Sequence, residues 1–123
     1  MTLDTNILIA YLDGEALVVE YLNALIQSGR VLFLPATTHI ELLSFPQFTE
    51  REVRDVETFL QNGFVFVPIG REVSQITARI RRSLKIKTPD ATIAATALFT
   101  GTPLLTRNLR DFKKISGLTL TTP

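Results

Sequence analysis

The sequence contains no cysteine and no tryptophan. Without cysteine neither a disulfide nor a thiolate metal centre exists, so any metal is left to oxygen ligands or to the single histidine, His39. No apolar run approaches the ~20 residues of a membrane span, and Met1 leads into LDTN without the basic and apolar regions of a signal peptide. A soluble, unexported, cytoplasmic protein is expected. Gly-rich phosphate loops, dinucleotide fingerprints and the G-x-S-x-G elbow are also missing, which removes the common signatures of nucleotide binding and serine hydrolysis. Repeats, low-complexity stretches and Gly/Ser linkers are lacking too, so the 123 residues, 46% of them hydrophobic, are expected to form one domain over 1–123.

What is present is charge, unevenly distributed. The formal net charge is only +1, yet residues 1–70 carry three arginines against nine acids, a net of −6. Residues 71–123 carry ten bases against Glu72, Asp90 and Asp111, a net of +7. Arg79, Arg81, Arg82, Lys85 and Lys87 fall within nine residues with no acid among them. Such a run is either a solvated helix face or a track for a phosphate backbone. Arg79, Arg82 and Lys85 are the candidate substrate-binding residues.

Short apolar runs alternate with amphipathic segments. Leu17, Val18, Tyr21, Leu22, Leu25 and Ile26 recur at helical spacing, Ser28 and Gly29 close the segment, and VLFLP follows as a buried strand. Thr38 with Glu41, and Thr49 with Glu52, have capping-box spacing and predict two successive helices, with Glu41 in the first turn of its helix. FVFVPI reads as a second buried strand, followed by a helix bearing Val73, Ile76, Ile80 and Leu84 on one side. In TPDATIAATALF, Thr88 suits the cap, Pro89 the first helical position and Gly101 the end. PLLT is a short strand, RDFKKI a helical turn or two, and LTLTT a closing strand. This alternation predicts an α/β layered fold with a mostly parallel sheet.

In an open parallel sheet, ligands gather beyond the carboxyl ends of the strands where strand order reverses. Asp4, Glu41, Asp90 and Asp111 are all expected near strand exits or helix starts. Each has an ordinary explanation by itself, because acids favour helix N-termini. Together they would be costly: two carboxylates ~4 Å apart repel by about 4 kcal/mol at an effective dielectric near 20 unless protons or cations intervene. Hard dications such as Mg2+ and Mn2+ prefer oxygen ligands, often one or two carboxylates together with substrate phosphate. His39, two residues from Glu41, points elsewhere around a helix and is expected to serve packing.

The segments LDTNILIAYL, HIELLS, TPDATIAATAL and LLTRNLRDF together resemble the PIN-domain nucleases, and among them the VapC-type toxins of prokaryotic toxin-antitoxin pairs. The resemblance runs the length of the chain. It implies a PIN-like three-layer α/β/α sandwich and endonucleolytic RNA cleavage dependent on Mg2+ or Mn2+. It makes Asp4, Glu41, Asp90 and Asp111 the catalytic and metal-holding residues, with Asn6, Thr106 and Asn108 supporting them. It also implies a second copy of the chain as partner, and an antitoxin gripping the region of Leu43, Phe45, Phe48, Phe59 and Leu60. The three residues before Asp4 leave the first strand short or strained by comparison with the family. With few aromatics near the basic helix, selectivity for RNA is expected from backbone shape and charge. Three other readings remain open: a DNA or flap nuclease on the same acids, a flavodoxin-like domain phosphorylated on Asp4, and a non-catalytic interaction module.

Overall fold

The first strand, β1 (Thr2–Leu3), runs at the centre of a five-stranded sheet in a computed structural model that describes residues 1–123. Around it lie β2 (Phe33–Pro35), β3 (Val65–Val67), β4 (Leu104–Leu105) and β5 (Leu120–Thr121), in the order β3-β2-β1-β4-β5. All four pairings are parallel. The chain therefore moves outward through β1, β2 and β3, then returns to the other side of β1 for β4. That reversal puts a crevice beyond the carboxyl ends of β1 and β4. β1 is short, as expected, and the backbone is free of strain there, since only glycines have positive φ.

Seven helices cover both faces: α1 (Thr5–Leu12), α2 (Ala16–Gln27), α3 (Ala36–Leu43), α4 (Glu50–Gly63), α5 (Arg71–Ser83), α6 (Thr88–Thr100) and α7 (Leu109–Phe112). Successive strand residues point to opposite faces. Leu105 accordingly joins Leu3, Leu8, Leu22, Leu34, Leu42 and Leu60 in one core, and Leu104 joins Val73, Ile80, Ile93, Phe112 and Ile115 in the other. The result is the expected α/β/α sandwich. In α6, Ala91, Ala94, Ala95 and Ala97 are all buried, and their small side chains let the helix lie close to α5 and the sheet. Gly101 ends α6 in the left-handed conformation at φ 66°, where a side chain would be strained.

Several expectations change. Thr49 and Glu52 do form a reciprocal capping box at α4, but Thr38 and Glu41 do not form one. Helix α3 begins directly after Pro35, so Glu41 lies in its last turn, and the Thr38 hydroxyl donates instead to the carbonyl of Leu3 at 3.2 Å. Lys87 rather than Thr88 occupies the cap position of α6, which moves Pro89 to the second helical position. FVFVPI is only partly buried: Phe64 and Val67 are covered, but β3 is an edge strand and its Val65 and Phe66 are half exposed. Leu17 is 61% exposed, so the buried stripe of α2 is narrower than its apolar pattern. The apolar region expected to receive an antitoxin divides, because Leu60 and Phe59 belong to the core, with Phe59 stacked on Tyr11 at 5.3 Å. Phe45 and Phe48 remain half-buried and line an open apolar cavity with Ile9 and Leu12.

Candidate active site

Asp4 leaves the carboxyl end of β1 and caps α1, its Oδ1 accepting from the Thr5 amide at 2.8 Å. Its Oδ2 accepts from the Thr106 hydroxyl at 2.7 Å, just past the end of β4. These bonds fix the carboxylate across the gap where strand order reverses. The side chain is buried, and burial raises its pKa above the ordinary carboxylate value. The bonds from Thr106 and Thr5 oppose that rise, while the charges of Asp90 and Glu41 add to it.

Glu41 reaches the same cleft from α3. Its Oε1 accepts from the Thr5 hydroxyl at 2.6 Å. Thr5 also lies 3.3 Å from Thr38, but a hydroxyl has one proton, and the shorter bond to a carboxylate claims it. The Thr5 hydroxyl thus holds Glu41 over the end of β1, while Thr38 is tied separately to the Leu3 carbonyl. Thr92 donates to the Pro89 carbonyl, which leaves the Thr37 hydroxyl to donate to Thr92 at 2.6 Å. That contact ties α3 to α6 and so sets Glu41 relative to Asp90.

Asp90, in the first turn of α6, is half-buried. Its pKa is raised first by burial and then by the neighbouring charges of Asp111 and Glu41, against a smaller pull from Lys87. It lies between two adjoining cavities. One is lined by Asp4, Thr5, Asn6, Glu41 and Asp90, and the other, of about 570 Å³, by Asp90, Asp111 and bases that include Lys85, Lys87 and Arg110. Asp111 is exposed on α7 and accepts from the Asn108 side chain at 2.7 Å, while the Asn108 amide donates to the Thr106 hydroxyl at 2.9 Å. Thr106 and Asn108 therefore link Asp111 to Asp4. Asn6 lines the first cavity without a side-chain bond of its own.

Lys85 lines the second cavity, Arg79 a neighbouring one, and Arg82 is exposed outside both. His39 is held by Glu57 at 2.9 Å and packs edge-on against Phe66, away from the acids. Sequence reasoning missed Thr5 and Thr37, whose role depends on contacts far along the chain, and Arg110, Lys113 and Lys114. The bases flanking Asp111 in LRDFKK were the available signal for the last three.

No three carboxylates converge closely enough in this structure to hold one ion among them. The donor set still suits a hard dication, which takes one or two carboxylates and completes its shell with water and phosphate. Every acid here offers oxygen, the charge of Asp90 is felt with those of the other three, and burial, with mutual repulsion adding to it, raises the pKa values of Asp4 and Asp90. Burial and these charges together set the pH dependence of the metal-free protein. A carboxylate whose pKa is raised on folding adds stability below its unfolded pKa and loses that contribution as pH rises through the folded value. Thermal midpoints in chelator are expected to favour Asp4→Asn over the parent increasingly as pH rises from 4 towards 7. A difference that stayed constant with pH would contradict the raised pKa of Asp4.

The PIN domain family profile matches residues 1–118. Ribonuclease VapC19 of Mycobacterium tuberculosis is 30% identical over 121 residues, covering 94% of each chain. Ribonuclease VapC1 of Rickettsia felis is 39% identical over 69 residues, a match spanning 52% of each. Among solved structures, a toxin-antitoxin complex from Klebsiella pneumoniae contains a chain 27% identical, with a TM-score of 0.81, over 96% of this chain and 94% of that one.

Proposed function

The chain belongs to the PIN-domain family, and from that premise we propose that it is an endoribonuclease, the toxin of a toxin-antitoxin pair, cutting RNA at the carboxylate cleft. The observation that carries this reading is the approach of Asp4, Glu41 and Asp90 to one crevice at the strand reversal, with Asp111 facing Asp90 from the adjoining cavity.

Asp4, Glu41, Asp90 and Asp111 are the residues that would hold Mg2+ or Mn2+. The bound cation supplies charge neutralisation, polarises the phosphate and makes water a better nucleophile at neutral pH. The protein's own contribution is placement. Thr106 and the Thr5 amide keep both Asp4 oxygens in fixed directions, the Thr5 hydroxyl orients Glu41, and Asn108 orients Asp111. Lys87 and Arg110, on the rim of the cavity shared by Asp90 and Asp111, draw the phosphodiester towards the acids. The sheet end and the helices that carry these groups are rigid supports, so the groups are largely positioned before substrate arrives.

An antitoxin is proposed to cover the apolar cavity of Ile9, Leu12, Phe45 and Phe48, which opens beside the acidic cleft at Ile9 and Phe45. We also propose a second copy of the chain as partner and a cytoplasmic setting. No helix is long and apolar enough to cross a membrane.

Matched RNA and DNA oligonucleotides, incubated with the protein in Mg2+ or Mn2+, test the substrate. Internal cleavage of RNA with DNA left intact is expected. Equal cutting of DNA would make the protein a general nuclease, and transfer of phosphate from acetyl phosphate to Asp4 would favour a phosphoacceptor.

A further inference from the structure

Of the thirteen lysines and arginines, only Arg107 is engaged in an ion pair, with Glu15. The bases beside the acidic cleft make no salt bridge. They do not stop at the cavity that contains Asp90 and Asp111. Lys114 lines that cavity and also a second one of about 440 Å³, whose other polar residues are Arg79, Ser83 and Ser116. The two cavities share Lys114, so bases line successive cavities from the carboxylates to α5.

The 440 Å³ cavity contains no acid and no aromatic residue, and its apolar lining comes from Ile80, Leu84, Leu98 and Ile115. Without an aromatic face it has no platform for base stacking, which is the usual way single strands are read base by base. Two unpaired cations above an aliphatic floor suit a sugar-phosphate backbone instead. Ser83 already donates to the Arg79 carbonyl, so the hydroxyl of Ser116 is the free polar group of the site.

We propose that Arg79 and Lys114 form a backbone subsite for the RNA strand flanking the scissile bond, with Lys114 at the junction between cleavage cavity and subsite. This rests on the ribonuclease reading and adds to it a direction: the strand leaves the acids towards α5. Binding there is sequence-neutral and requires substrate that extends past the cleaved bond on that side. Arg82 lines neither cavity and contributes nothing to the subsite.

The test uses Arg79→Gln, with Arg54→Gln, which lines neither cavity, as control; both positions are exposed, so neither change threatens folding. On a long RNA, Arg79→Gln is expected to raise KM about threefold or more with kcat within twofold. Its log affinity against log salt should be shallower by about 0.7, the loss expected for one phosphate contact on a single strand. On RNA trimmed progressively from each end, the variant and parent should converge once the strand no longer reaches the subsite. Arg79→Lys should restore most of the KM. If Arg79→Gln matches Arg54→Gln in KM and salt slope while the parent cuts RNA, the subsite is wrong and the nuclease stands. A parent that cuts no RNA overturns the nuclease reading and the subsite with it.

Discussion

Asp90→Asn is expected to reduce RNA cleavage by more than about 100-fold while leaving the metal-free protein as stable as the parent or slightly more so. Loss of groups that merely support a metal ligand costs ~10–100-fold, and Asp90 is proposed as a ligand shared between the two cavities. Its carboxylate is nevertheless unfavourable in the empty protein, because burial, Asp111 and Glu41 all raise its pKa. Asparagine keeps the shape and removes the charge. A purely structural acid would behave the opposite way, with stability falling and activity following it. Cleavage rates and chelator-treated unfolding curves measured on one preparation separate the two, and a variant that cuts at the parent's rate removes Asp90 from the site.

Phe112→Ala is expected to cost ~3–5 kcal/mol of folding stability, the range for deleting a buried phenyl ring. The side chain is fully buried in the core between the sheet and α5, α6. It also anchors α7, a helix of four residues that is too short to hold its position alone. Asp111 sits on that helix one residue earlier, so the surviving folded fraction should bind cations more weakly as well. Urea unfolding provides the check: a loss below about 1 kcal/mol would mean that α7 is held by something other than this ring.

Much of this arrangement is legible in the order of the residues. The apolar runs at 31–35 and 103–106 and the helical spacing of Val73, Ile76, Ile80 and Leu84 specify elements directly, and their alternation specifies a parallel sheet. The acids are legible because they sit at the exits of those elements. Glu41 shows the limit. Its spacing from Thr38 satisfies a capping box as well as Glu52 does from Thr49, but Thr38 is drawn under β1 to the Leu3 carbonyl, a bond across 35 residues that no local pattern records. β3 fails for a related reason. An apolar run reads alike in a central strand and at an edge, and only the strand order exposes Val65 and Phe66. The basic residues split similarly: Arg79, Arg82 and Lys85 are neighbours in sequence, yet the helix turns Arg82 away from the cavities that the other two line.

Everything in the mechanism depends on the acids acting as a cation-holding group rather than as four separate helix and turn residues. The most direct measurement is the time course of cleavage of one labelled RNA by parent and Asp4→Asn, each in Mg2+, in Mn2+ and in excess chelator. Cleavage by the parent in either cation only, and none by Asp4→Asn under any condition, is the expected result. Undiminished cleavage in chelator, or an Asp4→Asn protein as active as the parent, would contradict it.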